Sequence, residues 1–234
     1  MPLDRIPWRD HLAALKWDQG DHIMVAAPTK SGKTTLAKDL VERRSHVITF
    51  ATKPRDATLD TEYRDWTVIS HPREIRPWMD RIIVRPKVNA KKVGDVMAAT
   101  RAAHREIFPQ VFDFVYREGG YCVLIDETLY MADPKYGGVG SQIEMMHYHG
   151  RSNGISMVTL TQRPAWIPKI IYSSASHAYI AKTRDSADLR RLGDLGNVDP
   201  KQLMQDVQSL PTRWDFVYTP SLGEGNPGII NTRK

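Results

Sequence analysis

Short apolar runs rich in Val, Ile and Tyr recur along the chain and alternate with stretches whose apolar residues return at helical spacing. The runs predict strands over residues 22–27, 47–51, 67–70, 81–85, 121–126, 155–161, 178–182 and 214–218. The helical spacing predicts helices over 33–43, 91–118, 141–151, 186–192 and 200–207. The longest has Val93, Val96, Met97, Ala103, Ile107, Phe108, Val111, Phe112 and Val115 on one side, with Gly94, Ala98, Arg101 and Arg105 on the other. Pro109 falls inside it and is expected to kink or divide it, because proline lacks the amide hydrogen that the helix ladder needs. Strand and helix in alternation are the signature of βαβ units, so the expected fold is α/β with a mainly parallel central sheet flanked by helices. Two stretches, 53–65 (KPRDATLDTEYRD) and 130–141 (YMADPKYGGVGS), read as the longest irregular loops, and loops of that size in a compact domain are usually functional or disordered. Residues 1–20 read as a lead-in, 21–219 as the domain, and the Gly- and Pro-rich 220–234 as an extended tail.

Composition narrows the classes without choosing among them. A chain of 234 residues suits one domain, and 41% hydrophobic with 26% charged residues excludes the low-hydrophobicity signature of disorder. The net charge of +6 is spread along the chain; a polyanionic partner and plain solubility both account for it. The one cysteine, Cys122, lies in an apolar run and excludes a disulfide framework. No run reaches the roughly 20 apolar residues that span a bilayer, so a cytoplasmic protein without a membrane anchor is expected. Of the eight histidines only His147 and His149 are close, with no acidic or cysteine cluster beside them, so zinc is not expected.

Chemistry enters at residues 25–38, VAAPTKSGKTTLAK. The run Ala27, Pro28, Thr29, Lys30, Ser31, Gly32, Lys33, Thr34 has the spacing of a phosphate-binding P-loop, with a strand before it and a helix starting at its end. Successive backbone N–H groups there can wrap phosphates, and the helix N-terminus adds its positive dipole end. ATP with Mg²⁺ is the expected ligand. Lys33 would neutralise the β- and γ-phosphates and Thr34 would offer its hydroxyl to Mg²⁺; Thr35 supplies a second hydroxyl. Ala27 stands where glycine usually opens the loop, which is acceptable if its φ stays negative.

A second motif, YCVLIDET, is a buried strand ending in Asp126 and Glu127, the form of a Walker B segment. Asp126 would hold the Mg²⁺ shell and Glu127 would polarise a water for in-line attack on the γ-phosphate, a group that a kinase does not need. Further predicted strands and the long helix lie between the motifs, as expected when extra sheet separates the P-loop strand from the Asp–Glu strand. In HGRSNGISMVTLTQRP, a helix ends near Gly150 and a strand stops at Gln162, whose amide is suited to sensing the γ-phosphate. Arg151, in the turn, is the candidate arginine finger for a neighbouring subunit's site.

Together, LKWDQGDHIMVAAPTKSGKTTLAKDL, VITFATKP, VLIDE and GRSNGISMVTLTQRPAWIP resemble the FtsK–HerA group of ASCE, RecA-like P-loop ATPases, and by size the genome-packaging ATPases of tailed or membrane-containing viruses. The resemblance covers residues 15–192. It implies a DNA-translocating ATPase that acts as a homo-oligomeric ring, pentamer or hexamer, on double-stranded DNA, with a capsid portal as a further partner and the host cytoplasm as its place. It implies a nucleotide between subunits, Gln162 as sensor, Arg151 acting in trans, and Lys53 as a second basic element at the subunit boundary. Candidate DNA contacts are Lys87, Lys91, Lys92, Arg101, Arg105 and Lys135, each of which also fits a solvated basic face. The alternatives are a nucleotide-dependent assembly or morphogenesis ATPase acting on a protein complex, and a small-molecule kinase. Glu127 and the lack of an arginine-rich lid disfavour the kinase.

Overall fold

The computed structural model describes residues 3–88, 95–193, 195, 199–220 and 225–233. Its strands are β1 (Arg5–Pro7), β2 (His22–Ala26), β3 (Val47–Phe50), β4 (Thr67–Ile69), β5 (Arg81–Val84), β6 (Cys122–Ile125), β7 (Ser156–Thr161), β8 (Ala175–Ala181), β9 (Asp215–Thr219) and β10 (Gly228–Asn231). They form one sheet in the order β1-β10-β9-β8-β2-β7-β6-β3-β5-β4. Strands β2 to β8 run parallel, and β9 is reversed between β8 and β10.

The helices are α1 (Trp8–Ala14), α2 (Lys33–Val41), α3 (Ala57–Glu62), α4 (Val96–Glu118), α5 (Thr128–Ala132), α6 (Gly140–His149), α7 (Ile170–Ser173), α8 (Ser186–Leu192) and α9 (Pro200–Ser209). They cover both faces of the sheet, which is why the central strands are apolar throughout rather than alternating. Period-two geometry then splits each strand between two cores. Met24, Ile48, Phe50 and Val123 pack with Phe108 and Phe112 of α4. Ile23, Val25, Val47 and Leu124 pack with Leu36 and Leu40 of α2. Phe50 is stacked on Phe112 at 5.3 Å and meets Phe108 edge-on at 5.0 Å. Cys122 is buried in β6, where burial pushes its thiol pKa up to about 12.

Several elements differ from the sequence reading. Pro109 does not divide α4, which runs unbroken; Phe108, Val111 and Phe112 hold the helix to the sheet around it, and the carbonyl deprived of its partner belongs to exposed Arg105. Both long loops carry helical residues: the first contains α3, capped by Asp56 through the amides of Thr58 and Leu59, and the second begins with the end of α5, which starts directly after Glu127. The tail read as extended returns as β10, antiparallel to β9, and the lead-in supplies β1, parallel to β10 with Ile6 opposite Ile230. Three strands, β3 to β5, precede α4 between the two motifs, where the apolar runs at 47–51, 67–70 and 81–85 predict them. The strand that separates them in space is β7, which follows both. Among the described residues no helix is long and apolar enough to cross a membrane.

Candidate active site

The turn after β2 is built by local rules that explain the alanine at its start. Ala27 donates its N–H to the Thr161 carbonyl at 2.9 Å, joining the turn to the end of β7. Left-handed backbone falls instead on Lys30, with φ of 63°, and on Gly32, with φ of 86°. Glycine is therefore not required at position 27, and it is required at 32. A β-carbon on Gly32 would lie 2.9 Å from Thr232 Oγ1 and 3.0 Å from Trp214 Cε3. Ser31 closes the turn by donating to the Pro28 carbonyl at 2.7 Å. Gly32 caps α2, so Lys33, Thr34 and Thr35 form its first turn.

The sheet order brings the other motifs to this turn. β7 lies between β2 and β6, so Gln162 emerges between the turn and the Asp–Glu pair. Its Oε1 accepts from Thr29 Oγ1 at 2.8 Å. Buried Lys33 places Nζ 3.7 Å from Asp126 Oδ1. That oxygen is buried without a hydrogen bond, and burial raises the carboxyl pKa against the pull of Lys33. An orphaned carboxylate oxygen and the first hydroxyl of α2 lining the same cleft are a donor set that a hard divalent cation fits, so Asp126 and Thr34 suit Mg²⁺. Thr29, Lys33, Thr34, Thr35, Asp126, Glu127 and Gln162 all line one cleft of about 450 Å³, whose far wall is α3.

Lys53 donates to the Glu127 carboxylate of its own chain. That hydrogen bond raises the Lys53 pKa. The contact follows from β3 lying beside β6, an adjacency that no local spacing announces. A second cleft of about 480 Å³ adjoins the first beyond Glu127 and is walled by Tyr130, Tyr136, Arg163 and Trp166. Arg163, which the sequence reading left without a role, is held by Asp185 at 2.9 Å and Asp188 at 3.1 Å and lies over the Trp166 ring.

Arg151 sits at the opposite end of the strands, in the 3₁₀ turn Gly150–Asn153 that precedes β7. Its guanidinium is 70% exposed and lies 3.1 Å from Asp21 Oδ1, just before β2. The six residues of β7 separate it from Gln162 by about 20 Å. It does not reach the cleft of its own chain. Of the basic candidates, Arg101 and Arg105 lie one turn apart on α4, and the charge of both bears on the Tyr130 phenol. Arg105 also packs near Gly138 in the loop that contains Lys135. Lys87 is exposed after β5, while Lys91 and Lys92 lie outside the described residues.

No family model and no curated protein sequence matches the chain. Solved structures do. The genome packaging NTPase B204 from Sulfolobus turreted icosahedral virus 2, in complex with sulfate, superposes with a TM-score of 0.61 at 17% identity, over 92% of this chain and 98% of that one. The same protein in complex with AMPPCP gives 0.60 at 15%, over 91% and 97%. VirB4 of Thermoanaerobacter pseudethanolicus gives 0.62 at 10%, over 92% and 89%. The α/β fold with its mainly parallel sheet is the fold of these structures. At these identities the likeness establishes architecture, and the chemistry of this chain rests on its own residues.

Proposed function

We propose that the chain is an ATP-hydrolysing motor that translocates double-stranded DNA as a homo-oligomeric ring and packages a viral genome into a capsid. The observation that carries the proposal is the convergence of Lys33, Asp126, Glu127 and Gln162 on one cleft at the strand ends. Backbone amides of residues 29–33 and the Lys33 ammonium bind the phosphates, and Asp126 with Thr34 would hold Mg²⁺. When bound there, the ion draws charge from the β- and γ-phosphate oxygens. Glu127 accepts the proton of the attacking water, which requires its carboxylate to part from Lys53. Gln162, already tied to Thr29, reports the state of the γ-phosphate to β7. Arg151, facing away from its own cleft, completes that of a neighbour, so turnover depends on assembly.

A sequence-neutral grip on DNA suits Arg101, Arg105 and Lys135, which offer charge to phosphates without reading bases. The genome-packaging NTPase B204, similar in architecture over 92% of this chain and 98% of that one, supports this reading. Duplex DNA should therefore stimulate ATP hydrolysis regardless of sequence, with binding that weakens steeply as salt rises. Hydrolysis that stays flat across added duplex, in an assembled sample, would transfer the reading to an ATPase acting on a protein complex.

A further inference from the structure

The phosphate loop touches a part of the chain that its motif does not include. Trp214, at the start of β9, sets the edge of its indole against Gly32, and Thr232, at the end of β10, wedges its hydroxyl against the same residue. Thr232 donates its N–H to the Trp214 carbonyl at 3.1 Å, so the two arrive as one unit. The guanidinium of exposed Arg213 lies 4.6 Å from the centre of the half-buried Trp214 ring.

The sheet order gives this unit a direction. Lys33, Asp126, Glu127 and Gln162 lie on the β7 and β6 side of β2, whereas β8 and β9 lie on the other side. If a nucleotide lies along residues 28–33 with its terminal phosphate toward Glu127, its nucleoside leaves toward β8 and β9. Trp214 and Arg213 stand there. We infer that Trp214, with Arg213 and Thr232, forms the platform on which the base of a purine nucleotide stacks. The inference rests on the nucleotide-binding reading above and adds to it where the base lies and how it is held.

The chemistry is that of a face grip. An indole and a guanidinium both stack on a flat π-system and tolerate any base. The polar groups beside them are already engaged: Thr212 Oγ1 accepts the Trp214 N–H at 3.2 Å, and Asn231 Nδ2 donates to Asp215 at 2.8 Å. With those groups occupied, the base is held by its plane rather than read at its edge. ATP and GTP should therefore bind within about tenfold of each other, since large discrimination comes from edge hydrogen bonds left unpaired in the wrong ligand.

The test is titration of the full-length chain with Mg²⁺ and, separately, ATP, GTP and inorganic tripolyphosphate. Trp214→Ala should weaken both nucleotides by roughly tenfold to a hundredfold, the range of one lost stacking contact, with tripolyphosphate changed less than about twofold. Trp214→Phe should keep most of the nucleotide affinity. Equal weakening of tripolyphosphate would show that Trp214 only props the loop, and unchanged ATP affinity would remove the base from this place; either result overturns the platform. A Thr61→Ala variant that weakens ATP but not tripolyphosphate would put the base against α3 and also overturn it. Failure of the nucleotide reading itself looks different: the unmodified protein would then bind neither ATP nor tripolyphosphate.

Discussion

The two ends of the parallel strands are built on opposite plans. At the amino ends polar groups are tied closely together. Trp17 Nε1 donates to the Asp21 carbonyl at 3.0 Å, the Arg44 guanidinium lies 3.7 Å over the Trp17 ring, and the Gly20 N–H bonds Ser156 Oγ at 3.0 Å. Asp21 in turn anchors Arg151. At the carboxyl ends Asp126 has a buried oxygen without a hydrogen bond, and Lys33 approaches it without closing to bonding distance. Parallel sheets bind ligands at their carboxyl ends, and here Lys33 and the unpartnered Asp126 oxygen lie at that end. The amino end is a frame, and what it frames is an arginine pointed outward.

Removing that arginine should give the largest effect. Arg151→Ala is expected to lower turnover by roughly 10³- to 10⁵-fold, the range for arginine fingers, with nucleotide affinity nearly intact. Mixing Arg151→Ala with Glu127→Gln subunits should restore part of the activity, because one mixed interface unites an intact Glu127 with an intact Arg151. Mixed rings that stay as inactive as either parent would assign Arg151 to the frame alone.

At the carboxyl end, Glu127→Gln should cut turnover by roughly 10²- to 10⁴-fold while ATP still binds, as loss of a general base does. Lys33→Ala should lose binding itself. Nucleotide titration separates the two, and equal loss of binding in both variants would contradict the assigned roles.

Acid should attack the frame before the cleft, because its histidines are held neutral. Burial pushes His22 to about 4, opposed by Asp21, and holds the adjoining His147 well below its ordinary value. Neutral in the fold and near 6.5 when unfolded, such a group contributes stability above pH 6.5 that is lost as pH falls toward 4. Each fully coupled histidine contributes a slope of up to about 1.4 kcal/mol per pH unit. Denaturant midpoints measured between pH 7 and pH 5 should fall together with near-constant m-values. A flat profile would mean that these rings titrate freely.

The smallest change is a methyl group in the frame. Gly20 has φ of 95°, and a β-carbon there would lie 2.8 Å from the Arg151 carbonyl oxygen. Gly20→Ala should destabilise by about 1–3 kcal/mol, the usual strain of a non-glycine residue in that region. Thermal unfolding should register this with ATP affinity unchanged, and a lower ATP affinity would mean that the two ends are coupled.

What the sequence revealed of all this depended on range. The phosphate turn, the Asp126–Glu127 pair and the tip at Gln162 are each written in consecutive residues, so periodicity and spacing found them and the α/β architecture around them. Lys53 on Glu127 and Trp214 on Gly32 join residues far apart in the chain and exist only once strands are ordered, which local pattern does not state. β1 and β10, with burial limited to a few residues, gave no periodic signal, because what makes them strands is each other and β9. α3 was legible in principle: Asp56 two residues before Thr58 is an N-cap in the right place. It was hidden because the surrounding charges read as loop.

The chain's sole cysteine also makes the sheet its own timer. Cys122 receives no water in the fold, lies opposite Val47 and Ser156, and keeps its proton far above neutral pH. Reagents that require thiolate find none until β6 separates from β3 and β7. The rate at which the unaltered protein takes up such a reagent therefore counts openings of the sheet around β6, without any label having been introduced.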